Sequence, residues 1–156
     1  FTMSVCQLRP ESRGQIRLKG PDPENYPEIH PNYLATETDR RTIVEGVRIA
    51  QRIASCKPLS GKISTAHSPA AGVESDADIL QWVRDTATTI YHPTGTCRMG
   101  ADENAVVDAR LRVHGVEGLR VADCSVMPEI VSGNTNAPAI MIGEKASDMI
   151  LADARA

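Results

Sequence analysis

Aromatic side chains are nearly missing from this chain: one Phe, one Trp and three Tyr stand among 156 residues. Proteins that stack the bases of single-stranded nucleic acid build their platforms from such rings. A net charge of −3 supplies no basic footprint for a phosphate backbone either. The expectation is therefore no nucleic-acid partner. No apolar run approaches the roughly 20 residues that span a bilayer. The four cysteines, Cys6, Cys56, Cys97 and Cys124, form no C-x-x-C and no zinc-ligand spacing. They are read as free thiols of a reducing cytosol, with a disulfide left open, and no metal site is expected. The expected location is cytoplasmic, with membrane attachment through a segment outside this chain left open. A Gly-x-Gly-x-x-Gly turn, which cradles a dinucleotide pyrophosphate, is also missing from the sequence.

What is present suffices for a core. The hydrophobic fraction is 41% and the charged fraction 24%, ordinary values for one domain or a large piece of one. The chain opens on Phe1, and residues 3–8 already read as a strand, so it is expected to start inside a fold. Residues 2–9 and 14–19 are two short β-like runs around a turn at Pro10–Gly14. Residues 20–33 read as an extended loop. Asp39 to about Cys56 reads as a helix, because Ile43, Val47, Ala50 and Ala54 make one apolar stripe. Lys57-Pro58 ends it, and residues 57–74 read as a loop or lid. Ser75-x-x-Asp78 opens a second helix running to about Thr89, burying Ile79, Val83 and Ile90. Residues 106–108, 110–113 and 119–123 look like strand segments, with a turn at 115–118. The last helix starts near Ala137-Pro138, where proline loses nothing by lacking an N–H. It continues to about Ala152.

Two segments carry chemical groups suited to proton transfer. In Tyr91-His92-Pro93-Thr94-Gly95-Thr96-Cys97-Arg98-Met99-Gly100, an imidazole sits beside a proline and a glycine, directly after a helix. An imidazole accepts protons near neutrality, although a lone His at a turn is more often structural. In Gly133-Asn134-Thr135-Asn136-Ala137-Pro138, two carboxamides bracket a threonine before the last helix. The plain reading there is an N-cap by one asparagine. The helix N-terminus also offers free N–H groups and partial positive charge to an anion or alkoxide. Asp123, at the end of an expected strand, is either a ligand contact or a turn carboxylate. Cys97 and His92 together would permit a nucleophilic pair, but no third orienting group accompanies them.

These segments together resemble the C-terminal region of the glucose–methanol–choline (GMC) family of flavin alcohol oxidoreductases. The residues that carry the resemblance are Cys6–Gly14, His92–Gly100, Val107-Asp108, Gly118–Pro128, and Gly133–Pro138 running into Gly143–Asp148. They occur in the family's order over nearly the whole chain and stand nearest its choline-dehydrogenase-like branch. The resemblance implies an α+β fold, a mainly antiparallel sheet with packed helices, without the Rossmann-type FAD domain. It implies that residues 1–103 belong to the substrate-binding domain with the catalytic histidine, and that 104–156 return toward an FAD-binding domain. It makes His92 the catalytic base. Counting back from Lys145 makes Asn134 the second catalytic residue, with Asn136 as fallback. Asp123 and Cys124 fall where the family contacts the FAD ribityl–pyrophosphate region, and Thr135 and Asn136 fall near the flavin pyrimidine edge. The implied reaction takes a small alcohol to an aldehyde or ketone, with the hydroxyl proton going to His92 and hydride to flavin N5. The implied partners are that alcohol and an N-terminal FAD domain, with self-association of the isolated chain. Without the glycine turn, this chain alone is expected neither to hold FAD firmly nor to turn over. The rival readings are a non-catalytic binding module of the same fold and a Cys–His hydrolase using Cys97.

Overall fold

The computed structural model describes residues 1–69 and 72–155. Its regular elements are two strands, β1 (Gln15–Arg17) and β2 (Glu28–His30), and three helices. These are α1 (Glu37–Ser55), α2 (Asp76–Thr86) and α3 (Asn136–Asp153). β1 and β2 pair in a small antiparallel sheet, so the α+β class holds while the strands are far shorter than the sequence suggested. Gly14 leads into β1 because its α-carbon lies against the carbonyls of His30 and Pro31, where a Cβ would collide. The chain divides into two compact units, one made of residues 1–14 and 29–89, the other of 15–28 and 90–156.

In the first unit, α1 begins where Thr36 accepts a hydrogen bond from the Asp39 N–H at 3.2 Å. Glu37 and Asp39 occupy its first turn and Arg52 its last, in line with the helix dipole. Val44 and Val47 pack with Ile79 and Val83 of α2 as the core of this unit. Val44, rather than Ala50 or Ala54, completes the buried stripe of α1. α2 starts with a complete capping box: Ser75 Oγ accepts from the Asp78 N–H, and Asp78 accepts from the Ser75 N–H, each at 3.1 Å. The Ser75 hydroxyl and N–H hold the Asp78 carboxyl below its ordinary pKa. Replacing Ser75 by Ala is expected to cost about 1 kcal/mol of stability in urea unfolding, and an unchanged midpoint would contradict the capping account. α2 stops at Thr86, and Ile90, expected to be buried, is 50% exposed.

Residues 2–9 form no strand. Among the described residues no neighbouring strand pairs with them; Asp39 instead clamps the stretch from Gln7 to Ser12. Its carboxylate accepts from the Gln7 amide at 2.7 Å, from the Glu11 N–H at 2.9 Å, and from the Ser12 N–H at 2.8 Å. The Ser12 hydroxyl donates to it as well. Asp39 is 2% exposed, and nothing in the helical periodicity marks it as more than a first-turn carboxylate.

In the second unit, Val107, Leu111, Val126, Met127, Ile142 and Ala146 form the core. The expected strand segments at 106–108, 110–113 and 119–123 reduce to isolated bridges: Met99 with Val107, Val107 with Val113, and Arg112 with Arg120. The reason is a tight turn: Asp108 Oδ1 accepts from the N–H groups of Arg110 (2.8 Å) and Arg112 (3.0 Å). Such a turn breaks any ladder after one or two residues. At the far end of α3, Asp153 receives both Arg110 and Arg120, which ties the helix C-terminus to that turn.

Candidate active site around His92

The histidine loop is fixed by backbone hydrogen bonds. The N–H of Cys97 donates to Ser125 O at 3.0 Å, and that of Met99 to Val126 O at 2.8 Å. Just before them, Gly95 adopts a positive φ of 87°, a conformation that favours glycine. Tyr91, just before His92, also has a positive φ of 63°. His92 is half-buried, and its Nδ1 lies 2.9 Å from Thr135 Oγ1.

Thr135 occupies the N-cap position of α3, yet its side chain makes no capping hydrogen bond. Its backbone sits at φ −87°, ψ 0°, rather than in the extended region that turns an N-cap side chain back onto the helix. The hydroxyl is directed to the imidazole instead. The residue is 7% exposed. Its carbonyl accepts from the Ala139 N–H at 2.9 Å and from the Cys124 thiol at 3.6 Å. The expected asparagine cap is thus corrected: Asn134 and Asn136 are both exposed, on either side of the buried threonine.

The segment before α3 departs from expectation in the same way. Asp123 does not end a strand. It caps a short 3₁₀ turn, Cys124–Val126, and its Oδ1 accepts from the Ser125 N–H at 2.7 Å. Asp123 is exposed and Cys124 half-buried. Of the six residues singled out from sequence, the structure joins His92, Thr135 and Cys124 through hydrogen bonds. Asn134 and Asn136 adjoin them along the chain, and Asp123 precedes Cys124.

The arrangement can hold an imidazole by one ring nitrogen, leaving the other for a reacting proton. The Nδ1 partner is Thr135 and not the Cys97 thiol, so the geometry does not assemble the Cys–His pair. His114, the other ordered imidazole of this unit, bonds to Gly100 O at 3.1 Å and is structural. Among the described residues, all four cysteines are free thiols. No cluster of three or more metal-ligating side chains occurs there, and no helix is long and apolar enough to cross a membrane.

Comparison with known proteins agrees with this framework. The family described as GMC oxidoreductase matches residues 10–143. The chain is 44% identical to an alcohol dehydrogenase [acceptor] of Pseudomonas putida, over 97% of this chain and 27% of that protein. It is 46% identical to an oxygen-dependent choline dehydrogenase of Klebsiella pneumoniae, over 96% of this chain and 27% of that protein. Among solved structures, a formate oxidase variant of Aspergillus oryzae, described for its effect on FAD modification, superposes with a TM-score of 0.88. It is 33% identical over 94% of this chain and 26% of its own. The chain thus spans about a quarter of the length of the proteins it matches. With the histidine loop and the start of α3 inside the matched region, this chain belongs to the GMC oxidoreductase family and corresponds to the C-terminal part of its members.

Proposed function

We propose that this chain carries the proton-transfer half of an FAD-dependent alcohol oxidoreductase, with His92 as the base that takes the substrate hydroxyl proton. The observation that carries the proposal is the 2.9 Å contact between His92 Nδ1 and Thr135 Oγ1. It holds one ring nitrogen at the N-terminus of an 18-residue helix and leaves Nε2 for substrate.

Asn134 is proposed as the second catalytic residue. It is exposed one residue before Thr135, and its amide would donate to the oxygen as the proton leaves. The start of α3 suits the acceptor-rich edge of a flavin. The cap has no side-chain acceptor of its own, so the first-turn N–H groups are open to a ligand. Backbone groups at Thr135 and Asn136 would hold that edge, and Asp123 and Cys124 would meet the ribityl region. Bound FAD would supply the acceptor for the α-carbon hydride. In this division, residues 1–103 contribute substrate contacts and the histidine, and 104–156 approach the FAD-binding part of the full-length protein.

The test uses the full-length protein with its FAD, a panel of primary alcohols including choline, and an artificial electron acceptor. The expected result is carbonyl product equal to dye reduced for at least one alcohol. Dye reduction without carbonyl product, or no reaction with any alcohol, would contradict the proposal.

The same reading assigns a cover to α3. Ile140 and Met141 are 60% and 54% exposed, and Ile150 and Leu151 are about half exposed, an apolar surface that suits burial by the rest of a longer chain. The isolated 156-residue chain is therefore expected to self-associate. A monodisperse monomer in light scattering would count against this.

A further inference from the structure

The Thr135 hydroxyl has given up the use that its position in the chain offers. A threonine at an N-cap ordinarily accepts from the first-turn N–H groups, a contact that stabilises the helix. Here that bond is absent, and among the described residues Oγ1 has no other hydrogen-bond partner beside His92 Nδ1. The residue is 7% exposed, so the hydroxyl has little access to water as a substitute. It is also firmly seated, since its carbonyl accepts from both the Ala139 N–H and the Cys124 thiol.

We infer that Thr135 is a positioning residue for His92: its hydroxyl oxygen accepts the Nδ1 proton, which fixes the ring orientation and the tautomer whose Nε2 lone pair faces substrate. This rests on the proposed role of His92 as base.

The chemistry requires such a device. A neutral imidazole carries its proton on one nitrogen only, and a base acting through Nε2 must hold that proton at Nδ1. When Nε2 takes the substrate proton, the ring becomes a cation, and a polar acceptor at Nδ1 stabilises it. Thr135 Oγ1 is the acceptor in place. Without it, the ring would populate the wrong tautomer for part of the time and lose its fixed angle. The side-chain role is separate from any contact that the Thr135 backbone makes with a cofactor, because it uses the hydroxyl alone.

The test compares Thr135→Val, which keeps the shape and removes the hydroxyl, with Thr135→Ser, which keeps the hydroxyl, in the full-length FAD-loaded protein. His92→Ala serves as the reference. The measurements are the limiting rate of flavin reduction by alcohol, KM, FAD content and Tm. Misplacing a catalytic group costs up to about a hundredfold. The expected result is a fall of about tenfold to a hundredfold in the limiting rate for Thr135→Val, with KM, FAD content and Tm near wild type. Thr135→Ser should stay within about threefold of wild type on the same argument. A normal rate in Thr135→Val overturns the inference while leaving His92 as base. A Thr135→Ser variant as slow as the valine overturns it too, since the hydroxyl would then not be the active feature. Loss of FAD or of Tm in Thr135→Val would assign the residue to cofactor binding or folding, against the inference. If His92→Ala itself reduces its flavin at a normal rate, the base assignment fails, and that outcome is read independently of the Thr135 pair.

Discussion

His92→Ala in the full-length protein is expected to slow flavin reduction by alcohol about 10²–10⁴-fold, the range that general-base catalysis supplies. An alcohol does not release hydride readily while its hydroxyl proton stays in place, and His92 is the group proposed to take it. The substitution leaves the frame intact. The loop is held by backbone bonds from Cys97 and Met99 to Ser125 and Val126, neither of which uses the imidazole. FAD content and Tm are therefore expected to change little. A rate near wild type would remove His92 from the reaction; a large loss of FAD would recast it as a structural residue.

The second large effect concerns folding. Asp39→Ala is expected to destabilise the chain by about 3 kcal/mol or more, because hydrogen bonds to a charged acceptor contribute about 1.5–3 kcal/mol each and are not additive. The substitution strands the Gln7 amide, the N–H groups of Glu11 and Ser12, and the Ser12 hydroxyl. In a domain of this size, that corresponds to a fall in Tm of roughly 10 °C. Asp39→Asn should recover little, since its NH₂ would meet donors.

The same carboxylate gives an acid dependence. Burial alone would raise its pKa, but the bonds from Ser12, Glu11 and Gln7 outweigh that effect and bring it from 3.8 to about 2. With the folded value depressed, the unfolded chain binds the proton more readily. Stability from this group is complete above about pH 4 and is lost as pH falls toward 2, amounting to roughly 2 kcal/mol. Urea midpoints of wild type and Asp39→Asn measured down this window should converge; parallel curves would contradict the assignment.

The helices were readable because their signals are local and periodic. Ser75-x-x-Asp78 announced α2, and the apolar spacing in 43–54 announced α1. The β structure is less legible, since Leu119–Asp123 has the composition of a strand but among the described residues forms a single bridge, Arg120 with Arg112. Pairing is a tertiary property that composition does not encode. Around the site, the sequence marked His92 and the start of α3 but assigned the cap to an asparagine. Thr135 instead fills that position with its hydroxyl turned to His92. No local signal distinguishes a capping threonine from one diverted to an imidazole 43 positions away. Asp39 was hidden for a similar reason: a first-turn carboxylate is unremarkable until the chain from Gln7 to Ser12 folds over it.

The central claim, that alcohol C–H cleavage is served by this chain's histidine, is tested most directly by anaerobic rapid mixing of the full-length FAD-loaded protein with an alcohol and with its α-deuterated form. The expected result is that the alcohol bleaches the flavin, that deuterium slows the bleaching, and that His92→Ala slows it further for both. Bleaching at equal rates for the two substrates and the two proteins would contradict it.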